Sequence, residues 1–331
     1  MFDVITIGSA TRDVFLLSKN FKALLGNNSF GKKFEIEKAI FSTGGGSTNA
    51  AAAFSRQGLK TAALFKIGKD EPADYILNEI KKEKIHSLAV KDEKKGSDYS
   101  TILLDSSGER TVLVYYGASG DLNVSEIPFD KMKSKWAYIA PGDISFETIE
   151  KIFSHFHKNK TLIAFNPSKK FIGIGLKKLK PFLDKTAVLI LNLEEGAILT
   201  GINREKEKEI FEKLDRAEKG IAIMTNGKKG AIVSDGKNIY RAGIFGGKII
   251  DRTGAGDAFG SGFVAGLIQK KIQNTKYDIQ DTIKYAIRLG SANATSVVGK
   301  IGAKEGILTK SQFEQSKYWK KLPIKIEICA K

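Results

Sequence analysis

Six short apolar runs recur along this 331-residue chain, most of them closing on a glycine, proline or asparagine. They are FDVITIG (2–8), TAALFKIG (61–68), WAYIA (136–140), TLIAFNP (161–167), AVLILN (187–192) and GIAIMTNG (220–227). Runs without polar alternation belong to strands covered on both faces. Helix-like segments lie between many of them, at 47–57, 72–84, 146–158, 204–219, 258–271 and 278–298. This alternation predicts an α/β fold with a mostly parallel sheet and helices on both sides. In such sheets ligands sit beyond the carboxyl ends of the strands. Two β-rich stretches, 32–41 and 100–116, break the rhythm, the second turning at Asp105-Ser106-Ser107-Gly108. They predict a small antiparallel sheet, either a lid over the site that keeps water from a reacting group or an edge extension of the main sheet. The segment 231–243 predicts a further hairpin about Asp235-Gly236, at the edge of the main sheet.

At 42% hydrophobic and 27% charged residues the chain falls in the globular, soluble class. No window approaches the roughly 18 uninterrupted apolar residues of a membrane-spanning helix. The start, MFDVITIGSATRD, lacks a basic leader pattern and predicts no signal peptide. A single cysteine, Cys329, excludes an internal disulfide and points to the cytoplasm. The net charge of +17 raises the question of a nucleic-acid partner, but it rests on scattered lysines with only eight arginines. Nucleic-acid surfaces favour arginine forks and interleaved aromatics, so the charge reads as solvated surface. His86, His155 and His157 show no metal-ligand spacing.

Chemistry concentrates in DRTGAGDAFGSG, residues 251–262. Gly254, Ala255 and Gly256 precede an apolar helix, so their N–H groups and the helix dipole converge on one anion-sized spot. Asp257 adds a carboxylate there, which would repel a phosphate unless it takes a proton from an attacking hydroxyl. Phosphoryl transfer to an alcohol is the reaction this combination predicts. Upstream, Gly44-Gly45-Gly46-Ser47-Thr48-Asn49 lets backbone approach a small ligand, and Asn49 offers a donor and an acceptor to hydroxyls. Asp13, shortly after the first strand, is placed to accept from a polyol, or else to cap a helix or a surface turn.

Together these motifs resemble the ribokinase-like (pfkB) family of carbohydrate and nucleoside kinases over essentially the whole chain. The resemblance implies a single domain, a three-layer α/β sandwich with a mostly parallel central sheet and a small β-sheet lid from about 14–41 and 97–117. It implies an ATP-dependent kinase acting on a hydroxyl of a ribose- or fructose-like sugar, with nucleosides such as adenosine as the alternative acceptor. A non-catalytic sugar or nucleic-acid binder is the rival from another class, and the intact Asp257, Asn192 and Glu195 speak against it. By position, Asp257 matches the base and Gly254, Ala255 and Gly256 the anion hole. Asp13, Gly44, Gly45, Asn49 and Asp143 match positions that hold the acceptor. Asn192, Thr225, Gly227, Gly230 and Asn293 match nucleotide-binding positions, and Glu195 a water-mediated magnesium site, in keeping with magnesium's taste for few carboxylates and several waters. Asp251 and Gly302, with the loop around Lys300 and Gly306, fall where many members bind a monovalent cation such as potassium. The family often dimerises through the lid.

Departures narrow the acceptor. Gly46 stands where ribose and phosphosugar members often carry lysine, which argues against a phosphorylated acceptor. Ala140–Asp143 occupies the place of a ribose-kinase glutamate, which puts ribose itself in question. Arg12 beside Asp13 reads as steering an anion or pairing with an acid, and Arg252 as touching phosphates or facing solvent.

Overall fold

The computed structural model describes residues 1–19, 21, 33–105, 110–273 and 278–329. A ten-stranded sheet forms its middle layer. Seven strands run parallel, in the order β6 (His86–Ser87), β4 (Thr61–Leu64), β1 (Phe2–Gly8), β10 (Ser134–Ala140), β11 (Leu162–Phe165), β12 (Val188–Asn192) and β13 (Ile221–Thr225). The chain first winds outward from β1 to β4 and β6, then returns to β10 and winds the other way. That reversal leaves a crevice between the carboxyl ends of β1 and β10, the place where open α/β sheets bind ligands.

All six apolar runs become strands of this sheet, for the reason their composition suggests: neighbouring residues face opposite layers. Ile5, Ala137 and Leu189 join one core with Ile149, Phe153 and Phe211, whereas Val4, Tyr138 and Ile190 join the other with Phe259 and Phe263. The first core lies under α3 (Phe146–Lys158) and α5 (Glu207–Ala217), with α4 (Leu193–Thr200) beside them. The second lies under α1 (Gly46–Arg56), α6 (Ala255–Gln273) and α7 (Ile279–Val298). The helix α2 (Glu71–Lys82) covers the β4 side. Ala50–Ala53 are all buried, which only a run of methyl-sized side chains permits for a helix enclosed on every side. Gly262, Gly266 and Gly290 bring α6 and α7 backbone to backbone, since a Cβ at Gly266 would lie 2.7 Å from the Ala286 Cα.

Beyond β13 the sheet turns antiparallel through β14 (Ala231–Ser234), β15 (Asn238–Ala242) and β16 (Ile324–Ile328). The expected hairpin is β14–β15, but β16 covers it, so the hairpin is not the edge. Its IKIEI alternates isoleucine with charge and is exposed over most of its length, as the last strand of a sheet. A second, four-stranded sheet has the order β3 (Lys38–Gly44), β2 (Thr11–Leu17), β8 (Asp98–Leu104) and β9 (Arg110–Tyr115). It begins at Thr11, earlier than the lid boundary drawn from sequence, and β2 and β8 run parallel where only antiparallel pairing was expected. The part of the lid at 20 and 22–32, and the turn at 106–108, lie outside the described residues. Two-residue strands β5 (Lys66–Ile67) and β7 (Val90–Lys91) pair separately. Among the described residues, no helix is long and apolar enough to cross a membrane.

Candidate active site

The crevice between β1 and β10 is closed tightly at its floor. A Cβ at Gly8 would come 2.2 Å from the Ala140 carbonyl oxygen. The glycine turn between β3 and α1 sits directly above. Gly45 has φ +96°, and a Cβ there would meet the Ser9 carbonyl oxygen at 2.5 Å, so only glycine fits. A Cβ at Gly44 would lie 2.2 Å from Asp13 Oδ2, so the turn is shaped around that carboxylate. Asp13 itself lies within β2, buried, neither a helix cap nor a surface turn. Thr11 donates to its Oδ1 at 2.8 Å. Burial lifts its pKa, opposed by Thr11, Ser100 and the charges of Lys304 and Arg12.

Asn49, in the first turn of α1, reaches across to α6. Its Nδ2 donates to Asp257 Oδ2 at 2.9 Å, while its buried Oδ1 has no partner. Asp257 stands in the first turn of α6, with Gly254 (φ +76°), Ala255 and Gly256 just before it. Burial raises the Asp257 pKa, against the Asn49 amide and the Lys304 charge. A carboxylate so placed is a stronger base than an ordinary aspartate. Beneath it the Tyr138 hydroxyl is buried, its pKa raised by burial and by the Asp257 charge.

At the ends of β12 and β13, Asn192 and Thr225 are register partners. Asn192 caps α4: its Oδ1 accepts from Glu195 N–H at 2.8 Å, and its own N–H donates to Glu195 Oε2 at 2.9 Å. Burial raises the Glu195 pKa, and the Asp257 charge adds to it, so the two acids lie within electrostatic reach. Gly227 begins a short turn that ends at Gly230 (φ +93°), whose Cβ would meet the Ala242 carbonyl oxygen at 2.0 Å. A cavity of about 340 Å³ opens there, lined by Asn226, Lys229, Gly230, Arg241 and Gly243 among others. Asn293 is elsewhere. It is 0% exposed at the α6–α7 seam, where its Oδ1 accepts from Leu308 N–H at 3.1 Å. Its Nδ2 is buried with no hydrogen-bond partner among the described residues. Asp143 is exposed beside Gly120, near enough to Asp98 to raise that buried acid's pKa, after burial itself.

Asp251 is 2% exposed and accepts hydrogen bonds on both carboxylate oxygens. Its Oδ1 accepts from the Thr253 N–H and hydroxyl at 2.9 and 2.7 Å, and its Oδ2 from Gly302 N–H at 3.1 Å. Arg110, from the small sheet, adds Nη1 at 2.9 Å to Oδ1. Lys300 and Arg252 are exposed, and Gly306 packs its backbone on Ser296. Among the described residues Arg12 forms no ion pair, although its charge acts on Asp13: it is buried, its guanidinium 3.3 Å from the Tyr75 ring centroid and bonded to the Ser42 carbonyl.

Two site residues escaped the sequence reading. Lys304 is buried, its Nζ donating to Thr43 and Thr48 hydroxyls at 2.6 and 2.7 Å, which clamps the glycine turn from behind. Burial pulls its pKa down to about 8. As one of 54 basic residues it carried no local signal. Arg110 lies 141 residues from Asp251, and no spacing rule joins them.

Known proteins share the family and the fold of this chain. The profile of the pfkB family of carbohydrate kinases matches residues 1–310. An uncharacterized sugar kinase of Archaeoglobus fulgidus is 26% identical, over 76% of this chain and 97% of its own. A Bacillus subtilis ribokinase is 25% identical, over 95% and 99%. Among solved structures, a Giardia lamblia ribokinase superposes with a TM-score of 0.77 at 21% identity, over 94% of this chain and 97% of its own. A Sinorhizobium meliloti adenosine kinase gives 0.75 at 21%, over 95% and 98%. The architecture is the ribokinase fold, and the class of protein it defines is a phosphotransferase acting on hydroxyl groups. The chain belongs to the pfkB family of carbohydrate kinases.

Proposed function

We propose that this kinase transfers the γ-phosphoryl group of ATP to a hydroxyl of an uncharged, ribose- or fructose-like sugar, with Asp257 as base. The observation that carries the reading is the Asp257–Asn49 pair, which joins the helix N-terminus to the glycine turn across the crevice. The acceptor would lie between Asp13 and Asn49, giving hydroxyl donors to the carboxylate and to the unpartnered Asn49 Oδ1. Two acids at that position favour a neutral polyol over a phosphorylated one. As the acceptor oxygen bonds to Pγ, its proton passes to the Asp257 carboxylate. The bond from Pγ to the bridging oxygen breaks, and ADP leaves with that electron pair. Backbone N–H groups at 254–256 would stabilise the charge on the transferred group. Thr225, Gly227 and Gly230 would hold the nucleotide beside the cavity at the β13–β14 turn.

Glu195 and Asp257 are two acids within electrostatic reach of each other, a set of few carboxylates that suits a divalent cation. Asn192 and Glu195 would hold magnesium through water, and the ion would neutralise phosphate charge. The small sheet would close over the acceptor and exclude water. A coupled assay of ADP release over free sugars, nucleosides and sugar phosphates tests the reading. Turnover is expected with a free sugar. Preference for nucleosides would reassign the acceptor, and silence across the panel would sink the proposal.

The same sheet supports a homodimer. Leu113, Tyr115 and Tyr116 on and after edge strand β9 are 56%, 54% and 71% exposed, an apolar edge that isolated proteins avoid. Sedimentation is expected to show a dimer in wild type and a monomer for Leu113→Lys. A monomeric wild type would refute the pairing.

A further inference from the structure

Asp251 must be neutralised. Its carboxylate is buried three residues before the anion-binding stretch, and an uncompensated charge there would be costly. A metal ion and a basic side chain are the available counter-charges. The structure holds the second: Arg110 Nη1 lies 2.9 Å from Asp251 Oδ1 and 2.7 Å from Thr253 Oγ1. Arginine keeps its charge at every working pH, so the compensation is permanent wherever the contact forms. The other donors are the Thr253 N–H and hydroxyl on Oδ1 and Gly302 N–H on Oδ2. A monovalent cation at this carboxylate would have to sit against a guanidinium of the same sign. The residues therefore do not fit the potassium ion that the family resemblance implied.

Arg110 opens β9, where it pairs with Leu104 of β8, so its reach is set by the small sheet. The contact ties that sheet to Thr253, immediately before Gly254. We infer that the Arg110 guanidinium replaces a monovalent cation beside the anion hole, delivered by the small sheet, and makes phosphoryl transfer independent of potassium. The inference rests on the proposed kinase reaction for its activity readout, but not for its binding readout.

The test uses the full chain in potassium chloride and in tetramethylammonium chloride at matched ionic strength, reading both ADP release and thermal melting. Wild type is expected to change its turnover less than about twofold and to melt at the same temperature in both salts. Arg110→Gln is expected to lose about 10²-fold in turnover without potassium. Potassium should restore part of that loss saturably and raise the variant's melting temperature. Saturable potassium activation or a potassium-dependent melting shift in wild type would overturn the inference. So would a variant that keeps full turnover without potassium, or one that potassium leaves unmoved in both readouts. Should the variant not fold, the wild-type comparison decides alone. Absence of turnover in every salt would count against the kinase reading, while the melting comparison would still decide the role of Arg110.

Discussion

Asp257→Asn is expected to lower kcat by about 10³-fold or more while leaving nucleotide affinity close to that of wild type. The substitution keeps the shape, and an amide oxygen can still accept from Asn49 Nδ2, so the crevice stays closed at the same contact. What it removes is the group able to take the acceptor's proton. The pH profile gives a second handle. Burial raises the Asp257 pKa, so in wild type the base form is lost at a higher pH than for an ordinary aspartate. Below that raised pKa the carboxyl is protonated, so kcat/KM should fall as pH drops through it and level off above. In Asp257→Asn the residual rate should lose this acid limb. Near-normal turnover of the variant would remove Asp257 from the mechanism. A slowed variant with an unchanged acid limb would place the titrating base elsewhere.

Much of this site was legible because its parts are local. The six apolar runs needed nothing beyond their own composition to become buried parallel strands, and the helix starting at Ala255 follows from small residues leading into an apolar stretch. What was hidden depends on pairing at a distance. The β2 strand pairs in parallel with β8, Thr11 opposite Asp98, so the sequence around Asp13 gives no hint that it lies within a sheet. Arg12 beside it reads from sequence as steering an anion or pairing with an acid, yet aromatic rings from β3 and α2 enclose it. Asn293 has a nucleotide-binding position in the family pattern, and only the packing of α6 on α7 shows that its neighbours are Gly262 and Leu308. Lys304 and Arg110 are single charges on a lysine-rich chain. Only folding makes one the clamp of the glycine turn and the other the counter-charge of Asp251.

The anion-binding stretch itself can be tested by separating shape from stability. Gly256 lies in the first turn of α6, and a Cβ there would meet nothing within 4 Å. Gly256→Ala should therefore fold as well as wild type or melt slightly higher, since alanine is favoured over glycine by up to about 1 kcal/mol in a helix. Its methyl group would nevertheless occupy space in front of the helix N-terminus, where the transferred phosphoryl oxygens must approach backbone N–H groups. Turnover is expected to fall about 10²-fold, mostly in kcat, because those N–H groups meet the most charge in the transition state. Gly254→Ala is the contrasting lesion. At φ +76° and with a Cβ only 2.6 Å from the Ala303 Cβ, it must displace the 300–306 loop, so it should lower melting temperature and turnover together. A Gly256→Ala variant that melts normally and turns over within about threefold of wild type would show that residue 256 does not face the reacting group. The anion site would then rest on Gly254 and Ala255, deeper against the loop that Asp251 and Arg110 hold.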